Sequence, residues 1–238
     1  AGLVSNNGIL DLDISAITSL DSIDVVVTKQ NKIPYFGSIS IISPNGVFLS
    51  NSNNQFIDVS GNLNNEIDFN EIVDIHSTIK NYGNETANGV YALLNTSSNN
   101  ISILQDSSNW GTLSADFGLE NQQAFKFEVD GFVTDQQIIP FQLEIFDNQN
   151  NFWNSYFQIQ VNAPNTIAND IVIDDNQLGN NNNRIDPGEN LNLLIPTTNN
   201  GHSDHIQLLG TLSCNSDLIE IVSPSFDLET LAIGEQQE

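Results

Sequence analysis

Two parts of the chain repeat one pattern, and they align without a gap at a constant offset of 118 residues, from Ile67 to Ile185. The matched positions are the pairs Ile67/Ile185, Asp68/Asp186, Glu71/Glu189, Gly83/Gly201, Leu94/Leu212, Ile101/Ile219 and Leu113/Leu231. A repeat of this length is a domain-sized unit rather than a short solenoid repeat. Because the apolar positions recur at equal offset, we predict that residues 56–122 and 174–236 superpose in one strand register. Tandem modules of this kind usually space, present or bind other molecules.

Apolar and polar residues alternate in many short segments, with the period of two that is typical of β-strands. The segments are 23–28, 39–42, 72–79, 101–104, 125–129, 141–145, 157–161, 191–195 and 219–222. Turn signals separate them at 7–8, 44–46, 88–89 and 200–201, and the polar run 147–151 predicts the tip of a hairpin. No segment shows the apolar stripe of a helix. The sequence therefore predicts an all-β fold of tandem immunoglobulin-like β-sandwich domains, of which the first and last are incomplete.

The repeat also sets the expected domain boundaries. Residues 1–54 indicate the C-terminal part of an immunoglobulin-like domain, and residues 55–164 a complete β-sandwich module. Residues 168–238 are expected to be the N-terminal part of a second copy, without a counterpart of 124–161. The linker at 162–166 is rich in Asn, Ala and Thr, so we expect a flexible coil unless its junction is packed or clamped.

The charge balance excludes one class of partner. The 238 residues include 30 Asp and Glu but only 5 Lys and Arg, which gives a formal net charge of −25. Nucleic-acid binding requires clustered cations, so DNA and RNA are excluded, whereas a cation would be attracted. The single Cys214 excludes an internal disulfide, and no apolar run approaches the ~18 residues of a membrane span. Packing and a bound metal ion are the expected sources of stability.

The strongest chemical signal is an Asn-rich acidic loop that occurs once in each copy. The candidate metal ligands are Asp58, Asn62, Asn64, Glu66, Asp68 and Glu71 in the first copy and Asp175, Asn180, Asn182, Arg184, Asp186 and Glu189 in the second. Calcium takes about six to eight oxygen ligands, which alternating side-chain oxygens, an intervening carbonyl and a later carboxylate supply. We therefore predict calcium as the cofactor. In the second loop Asp186, Glu189 and the carbonyl of Arg184 would hold the ion, so that the reach between modules would depend on calcium.

The two loops differ at the turn before the last ligand. Pro187 and Gly188 fit the centre of a type II turn that folds Glu189 back toward the loop, whereas the first copy has Phe69 and Asn70 there. The second loop is therefore the closer match to a calcium site. The alternative is that both loops are solvated turns whose Asn side chains cap their own backbone. Neither loop has the full alternating Asp pattern and central Gly of an EF-hand.

Two runs of sequence resemble parts of known secreted proteins. The run 24–39, DVVVTKQNKIPYFGSI, resembles the closing strands of the immunoglobulin-like domain that follows the catalytic domain in gingipain-like cysteine peptidases. The run 183–191, NRIDPGENL, followed by NNG at 199–201, is similar to a module of proteins that gliding and oral bacteria export through the type IX secretion system. The resemblance implies a secreted or outer-cell-surface protein. In such a protein these modules would support an upstream catalytic domain or contact a cell-surface partner, and the parent would be a cysteine peptidase.

One enzymatic arrangement that the sequence offers is a thiol dyad of Cys214 with His202 or His205, because a Cys nucleophile needs a nearby imidazole. The repeat argues against it, because the three corresponding positions of the first copy carry neither Cys nor His. A zinc site on the two His residues would lack two ligands. The chain itself is therefore expected to be non-catalytic.

Aromatic residues give a rival binding hypothesis. A glycan could stack on a platform formed by Trp110, Phe152, Trp153, Tyr156 and Phe157, with Asn side chains as hydrogen-bond partners. In a sandwich a Trp more often belongs to the core or to a domain junction, and Trp153, near the hairpin tip, is the one that we expect to be exposed. The chain would then be a cell-surface adhesin or a carbohydrate-binding module. The preceding part of the parent protein distinguishes the two hypotheses, because a peptidase would carry a catalytic His and Cys there and an adhesin further sandwich repeats.

Overall fold

The computed structural model describes residues 22–40 and 45–237. Over these ranges the chain forms strands, turns and loops and no helix, so the predicted all-β class is confirmed for them. A membrane-spanning helix is accordingly not found in these ranges. The turn expected at 7–8 and the end of the strand expected over 39–42 lie outside the described residues.

The first described element is a hairpin of two antiparallel strands. They are β1 (Ser22–Val27) and β2 (Tyr35–Ser40), with Ile23 opposite Ile39. Both strands are rich in β-branched and aromatic residues, which favour extended backbone. The large apolar side chains of the hairpin are mostly exposed, as Phe36 shows at 72%.

Eight strands form the first module, and they make two four-stranded antiparallel sheets. The strands are β3 (Leu49–Ser60), β4 (Ile72–Asn81), β5 (Ala87–Asn95), β6 (Ile101–Gln105), β7 (Ser107–Leu113), β8 (Gly118–Val129), β9 (Gln137–Phe146) and β10 (Phe152–Val161). One sheet has the strand order β3-β4-β8-β6 and the other β10-β9-β5-β7. The hairpin predicted at 147–151 is present, because it joins β9 to β10 with Phe146 opposite Phe152.

The core of the first module lies between its two sheets. Along β4 burial alternates with the strand period, so that Val73 and Ile75 face inward and are fully buried. Phe127 of β8 packs against Phe141 of β9 with ring centroids 5.3 Å apart, which joins the two sheets. Each such side chain stabilises the fold by about 1.5–3 kcal/mol through burial. Two sheets that share one core are compatible with the predicted β-sandwich.

The polar run at 50–55 lies inside a strand, although the expected boundary near residue 54 placed it before the first module. The strand β3 begins at Leu49, which is 1% exposed and lies opposite Asn81 of β4. Backbone hydrogen bonds to β4 hold the run in the sheet. A strand can be polar on its exposed face, so side-chain polarity alone did not reveal it.

Seven short strands form the second unit. They are β11 (Thr166–Ala168), β12 (Val172–Asp174), β13 (Asn192–Leu194), β14 (Thr197–Asn199), β15 (His205–Thr211), β16 (Ser225–Leu231) and β17 (Gln236–Gln237). Their sheets are β11-β14-β17, β12-β13 and β15-β16. The pairing of β14 with β17 sets Thr198 opposite Gln236, and 118 residues earlier β4 pairs with β8 through Lys80 and Gly118. The pairing of β15 with β16 also recurs at this offset, with His205 opposite Leu231 as Ala87 is opposite Leu113. The pairing of β12 with β13 does not, because it is shifted by one residue relative to that of β3 with β4. The predicted common register therefore holds for the later strands of the second unit but not for β12.

The strand predicted at 219–222 is absent from the structure, which has loop and turn there. Its counterpart β6 pairs only with β8 in the first module. Ile219 is accordingly 48% exposed, whereas its counterpart Ile101 is 9% exposed.

Candidate functional site

The first loop, residues 61–71, connects β3 to β4 and is built from successive Asn turns. The Asn64 N–H donates to Asn62 Oδ1 at 2.9 Å, and the Glu66 N–H donates to Asn64 Oδ1 at 2.6 Å. Asn side chains favour such turns because their oxygen reaches the N–H two residues on. Asn65 has a positive φ of 66°, which Asn tolerates better than most residues. The Asn-rich sequence therefore folds the loop upon itself.

Two carboxylates close this loop. Glu71 bridges it, because Oε1 accepts from the Asn62 N–H at 3.2 Å and Oε2 from the Asp68 N–H at 3.0 Å. Asp68 Oδ2 accepts from the side-chain amides of Asn62, at 2.8 Å, and Asn64, at 2.9 Å. Five of the six predicted ligands of this loop, which are Asn62, Asn64, Glu66, Asp68 and Glu71, are thus joined in one hydrogen-bond network.

The second loop, residues 179–189, repeats these contacts at the offset of 118. Glu189 accepts from the N–H groups of Asn180, at 2.7 Å, and Asp186, at 3.2 Å. Asp186 Oδ2 accepts from the side chains of Asn180, at 2.9 Å, and Asn182, at 2.7 Å, which hold the pKa of Asp186 below its ordinary 3.8. The Arg184 N–H donates to Asn182 Oδ1. Five predicted ligands of the second copy therefore take part in the same network as their counterparts.

The remaining Asp of each set behaves differently in the two loops. Asp175 is fully buried, and its carboxylate accepts from the N–H groups of Asn182 and Asn183. Asp58 is 8% exposed and accepts only from the Ser60 N–H through Oδ1, so its Oδ2 is buried without a partner. Asp68 Oδ1 is likewise buried without a partner. An unsatisfied buried polar group costs about 1–3 kcal/mol, and a charged one more.

The orphaned oxygens make the first loop the stronger metal candidate, although the second loop matches the calcium pattern more closely in sequence. Burial raises the pKa of Glu71 above its ordinary 4.5, and the charges of Asp58 and Asp68 raise it further, against the lowering effect of the two N–H donors. A cation near these three carboxylates would relieve both the repulsion and the missing hydrogen bonds. No three His, Cys, Asp or Glu side chains of the described chain converge as a ready metal-binding group.

The side chain of Glu66 points away from the loop and toward the end of the first module. Its Oε2 accepts from the Asn162 side chain at 2.8 Å. The backbone of Asn162 donates to the Ile67 carbonyl at 2.9 Å and accepts from the Phe69 N–H at 3.0 Å, as a parallel bridge opposite Asp68. The first loop is therefore hydrogen-bonded directly to the first residue of the linker.

The next linker residues are hydrogen-bonded on both sides, which defines the junction. Asp135, in the turn before β9, accepts from the Ala163 N–H at 3.0 Å and from His202 Nδ1 at 2.8 Å. The Ala163 carbonyl accepts from the His202 N–H, and the Asn165 carbonyl accepts from the Asn200 N–H. Burial alone would raise the pKa of Asp135, but hydrogen bonds from His202 and Ala163 outweigh it and hold this pKa below 3.8. The linker expected to be flexible is clamped.

Sequence reasoning did not identify Asp135 or the buried Asn199 as junction residues. Asn199 is fully buried, and its Oδ1 accepts from the Asn165 N–H at 3.1 Å. A signal was present for Asn199, because Asn81 stands at the equivalent position and each is followed two residues later by Gly. The position equivalent to Asp135 would be 253, outside the 238 residues of the sequence, so the repeat carries no signal for it.

The proposed aromatic platform is divided between core and surface. Trp110 is 4% exposed, donates to the Ser77 carbonyl and packs against the core. Trp153, expected to be exposed, is half-buried, because the alternation of β10 turns it and Phe157 inward. Phe152 and Tyr156 are 64% and 71% exposed on the outer face of β10.

Neither imidazole near Cys214 in sequence is hydrogen-bonded to it. His202 pairs with Asp135, and His205 Nδ1 lies 2.7 Å from Thr166 Oγ1. Cys214 is exposed, and its sulfur accepts from the Ser216 N–H. These contacts do not assemble a thiol dyad. No protein-family model matches the chain, and a search of curated proteins found no relative with significant similarity.

Proposed function

We propose that this chain is a non-catalytic tandem of immunoglobulin-like β-sandwich modules from a secreted or outer-surface bacterial protein. Its modules hold a neighbouring domain at a set distance and orientation, and by the sequence resemblance that domain is the catalytic domain of a gingipain-like cysteine peptidase. The observation that carries the proposal is the clamped junction. Asn162, Ala163 and Asn165 each hydrogen-bond to a module, so the linker transmits orientation instead of absorbing it.

A pair of spin labels, one on each side of the junction, tests the positioning role. Asn99→Cys labels an exposed turn of the first module and Glu229→Cys labels β16, in a Cys214→Ser background. We expect a single narrow distance distribution, because a clamped linker leaves one orientation. A broad distribution that resembles that of a flexible tether would overturn the proposal.

The identity of the supported domain is tested on the parent protein. A parent that carries a peptidase His and Cys pair before these modules supports the peptidase assignment. A parent that carries only further sandwich repeats there supports an adhesin instead.

Calcium is the cofactor in this proposal, and the first loop is its site. Asp58, Asp68 and Glu71 would supply carboxylate oxygens, and the two orphaned oxygens of Asp58 and Asp68 are the observation that supports it. Calcium is a hard cation that prefers oxygen ligands. Bound there, it would stabilise the loop that is hydrogen-bonded to Asn162.

Thermal unfolding with calcium and with excess chelator tests the cofactor. A ligand that binds only the folded state at about 100 times its Kd adds roughly 2.7 kcal/mol, so we expect a higher Tm with calcium. Asp68→Ala should abolish this shift, whereas Asp106→Ala, which removes an exposed carboxylate elsewhere, should retain it. An identical wild-type Tm under both conditions would mean that the loops are only self-capped turns.

Glycan binding is the second candidate function, and the exposed pair Phe152 and Tyr156 supports it. Both lie on the outer face of β10 with Asn154 between them, and Asn154 accepts from the Gln142 side chain at 3.2 Å. Aromatic faces flanked by amides suit sugar rings. A glycan array should give signals with the wild type that Tyr156→Ala loses, and a blank array would remove this candidate.

A further inference from the structure

The side chain of Asn199 uses all of its hydrogen-bonding capacity at the junction. Its Nδ2 donates to the carbonyls of Ser203 at 2.9 Å and Leu231 at 3.1 Å. Its Oδ1 accepts from the N–H groups of Gly201 at 3.0 Å and Asn165 at 3.1 Å. Two of these bonds shape the 199–203 turn of the second unit, a third joins the turn to β16, and the fourth holds the linker. Asn199 therefore joins the fold of its own unit to the position of the incoming chain.

Asn81 makes the same four kinds of contact in the first module. Its Nδ2 donates to the carbonyls of Glu85 at 2.7 Å and Leu113 at 3.1 Å, and its Oδ1 accepts from the Gly83 N–H at 3.0 Å. The fourth donor is the Phe48 N–H at 3.3 Å, from the segment that precedes β3. The recurrence at a second site shows that the arrangement does not depend on one local sequence.

Backbone contacts complete each site. In the second unit the linker carbonyls of Ala163 and Asn165 accept from the N–H groups of His202 and Asn200. In the first module the carbonyls of Gly46 and Phe48 accept from Asn84 and Tyr82 in the same way. The two incoming segments have different side chains, so the turn recognises backbone groups rather than a side-chain sequence.

The glycine of each turn allows the incoming backbone to approach. A Cβ on Gly201 would overlap the Ala163 carbonyl oxygen and the Asn165 nitrogen, and would lie 2.7 Å from the Pro164 carbonyl carbon. A Cβ on Gly83 would overlap the Gly46 carbonyl oxygen and lie 2.6 Å from the Phe48 nitrogen. Neither glycine has the positive φ that would explain it by conformation alone. Close approach of another backbone explains both.

We infer that the turns 81–85 and 199–203 are binding sites for the backbone of the preceding segment. Asn81 with Gly83, and Asn199 with Gly201, are the residues that set the orientation of each module relative to the chain before it. This inference rests on the proposed positioning function and names the site that performs it. The ligand of each site is a short peptide segment that presents two carbonyls and one N–H.

Gly201→Ala in the doubly labelled chain tests the inference. The new Cβ meets only linker atoms among its nearest contacts, so the linker should leave the turn and the narrow distance distribution should become broad. Asn215→Ala is the control, because it removes an exposed amide of the second unit that lies outside the turn. This control should keep the narrow distribution.

A second variant distinguishes release of the linker from unfolding of the second unit. Asn165→Pro removes the N–H that Asn199 accepts and changes no residue of the second unit's turn. It should also broaden the distribution while the circular dichroism of the strands is retained. Narrow distributions in both Gly201→Ala and Asn165→Pro would overturn the inference and leave the positioning function intact. A broad wild-type distribution would instead overturn the positioning function itself.

Discussion

Some buried polar side chains of this chain make all of their hydrogen bonds, and others do not. We expect the first group to hold the fold in place and the second group to bind a ligand. Asn199 is fully buried and has four hydrogen bonds, so its burial costs little and its position is fixed. Asp58 and Asp68 are almost as buried, but each retains an oxygen without a donor. A fold tolerates that cost where a ligand offsets it. The unsatisfied oxygens are therefore the positions at which a cation should have its largest effect.

The first prediction concerns the effect of calcium on the pKa of Glu71. Burial and the charges of Asp58 and Asp68 raise it above 4.5 without calcium, and a cation among these carboxylates should lower it. Carbon-detected NMR of the Glu71 carboxyl, titrated with chelator and then with calcium, measures both values. A pKa that is unchanged by calcium would place the ion elsewhere or exclude it.

The same shift has a defined effect on stability. A carboxyl whose folded pKa is raised holds its proton more tightly in the folded state, so its contribution to stability falls as the pH rises from 4.5 through the raised pKa. Calcium should abolish this loss. Urea unfolding gives the free energies of unfolding of the wild type and of Glu71→Gln. Their difference, measured across this pH window, isolates the contribution of Glu71 to stability from that of the other titratable groups.

The pair of Asp135 and His202 carries the second prediction. Its hydrogen bonds hold the pKa of Asp135 below 3.8, so the stability that Asp135 contributes is present above 3.8 and is lost as the pH falls through the lowered pKa. His202→Ala should raise the pKa of Asp135, as measured by NMR, and shift the acid loss of stability to higher pH. His76→Ala is the control, because His76 lies 3.9 Å from Glu120 on another part of the chain. An unmoved Asp135 pKa in His202→Ala would show that the Ala163 N–H alone sustains it.

At the scale of elements, the hairpin between β9 and β10 depends on one aspartate. Asp147 is 3% exposed, and its carboxylate accepts from the Gln149 N–H, the Asn151 N–H and the Asn151 side chain. Hydrogen bonds to a charged acceptor contribute about 1.5–3 kcal/mol each, and the neighbouring turn residues can recover part of that by binding water. The hairpin tip is thus fixed by a local side chain rather than by the core.

Removing that carboxylate gives the third prediction. Asp147→Ala should lower the free energy of unfolding by about 2–4 kcal/mol, since two turn N–H groups lose their acceptor. Urea unfolding followed by tryptophan fluorescence measures the change, because Trp153 lies on β10. Gln149→Ala, at the exposed tip, should change stability little. Equal stabilities of the two variants would contradict the role of Asp147.

Strands with apolar alternation could be predicted from the sequence, whereas strands defined by pairing could not. Residues 72–79 alternate and form β4, but the polar run 50–55 belongs to β3 only because β4 lies beside it. The turn signal at 88–89 proved to be a bulge inside β5, where Gly89 has a φ of 62°. Residues 219–222 alternate in the same way but form no strand in the structure. Pairing is a property of two segments, so one segment's pattern cannot establish it.

The candidate site shows the same division. The spacing of Asn62, Asn64, Asp68 and Glu71 predicted calcium ligands, and the structure joins these side chains to one another by hydrogen bonds, so that calcium itself stays a prediction. The orphaned oxygens could not be predicted, because they depend on how neighbouring strands bury Asp58 and Asp68. The clamp on the linker could not be predicted from the sequence either, because Asp135 and His202 are 67 residues apart and pair only after both units fold.

For the whole molecule, the two units differ in how much apolar surface they bury. The first module has a continuous core, whereas Leu231 is the one large apolar side chain that is fully buried among the described residues of the second unit. Apolar burial supplies most of the stability of a fold, so the first module should be the more stable. The fourth prediction follows from this difference.

Amide hydrogen exchange should be slowest in β4, β8 and β9 and much faster in β12, β13, β15 and β16. Mass spectrometry of peptides from the exchanged chain measures it. The turn 199–203 should be an exception in the second unit, because its N–H groups are held by Asn199 and by the linker. Equal protection throughout the chain would mean that the second unit derives its stability from something other than its own core.

The clamped linker also determines how the protein responds to tension. When the chain is pulled at both ends, the hydrogen bonds of residues 162–165 lie in series with the two units and carry the force between them. They are few and local, so they should break before either sheet is sheared apart. An extended chain spans at most about 3.3–3.6 Å per residue, so these four residues span at most roughly 14 Å, and their release adds only the part of that length that the bound segment does not already span. The bonds can form again once the force is removed, which makes the junction a reversible extension element.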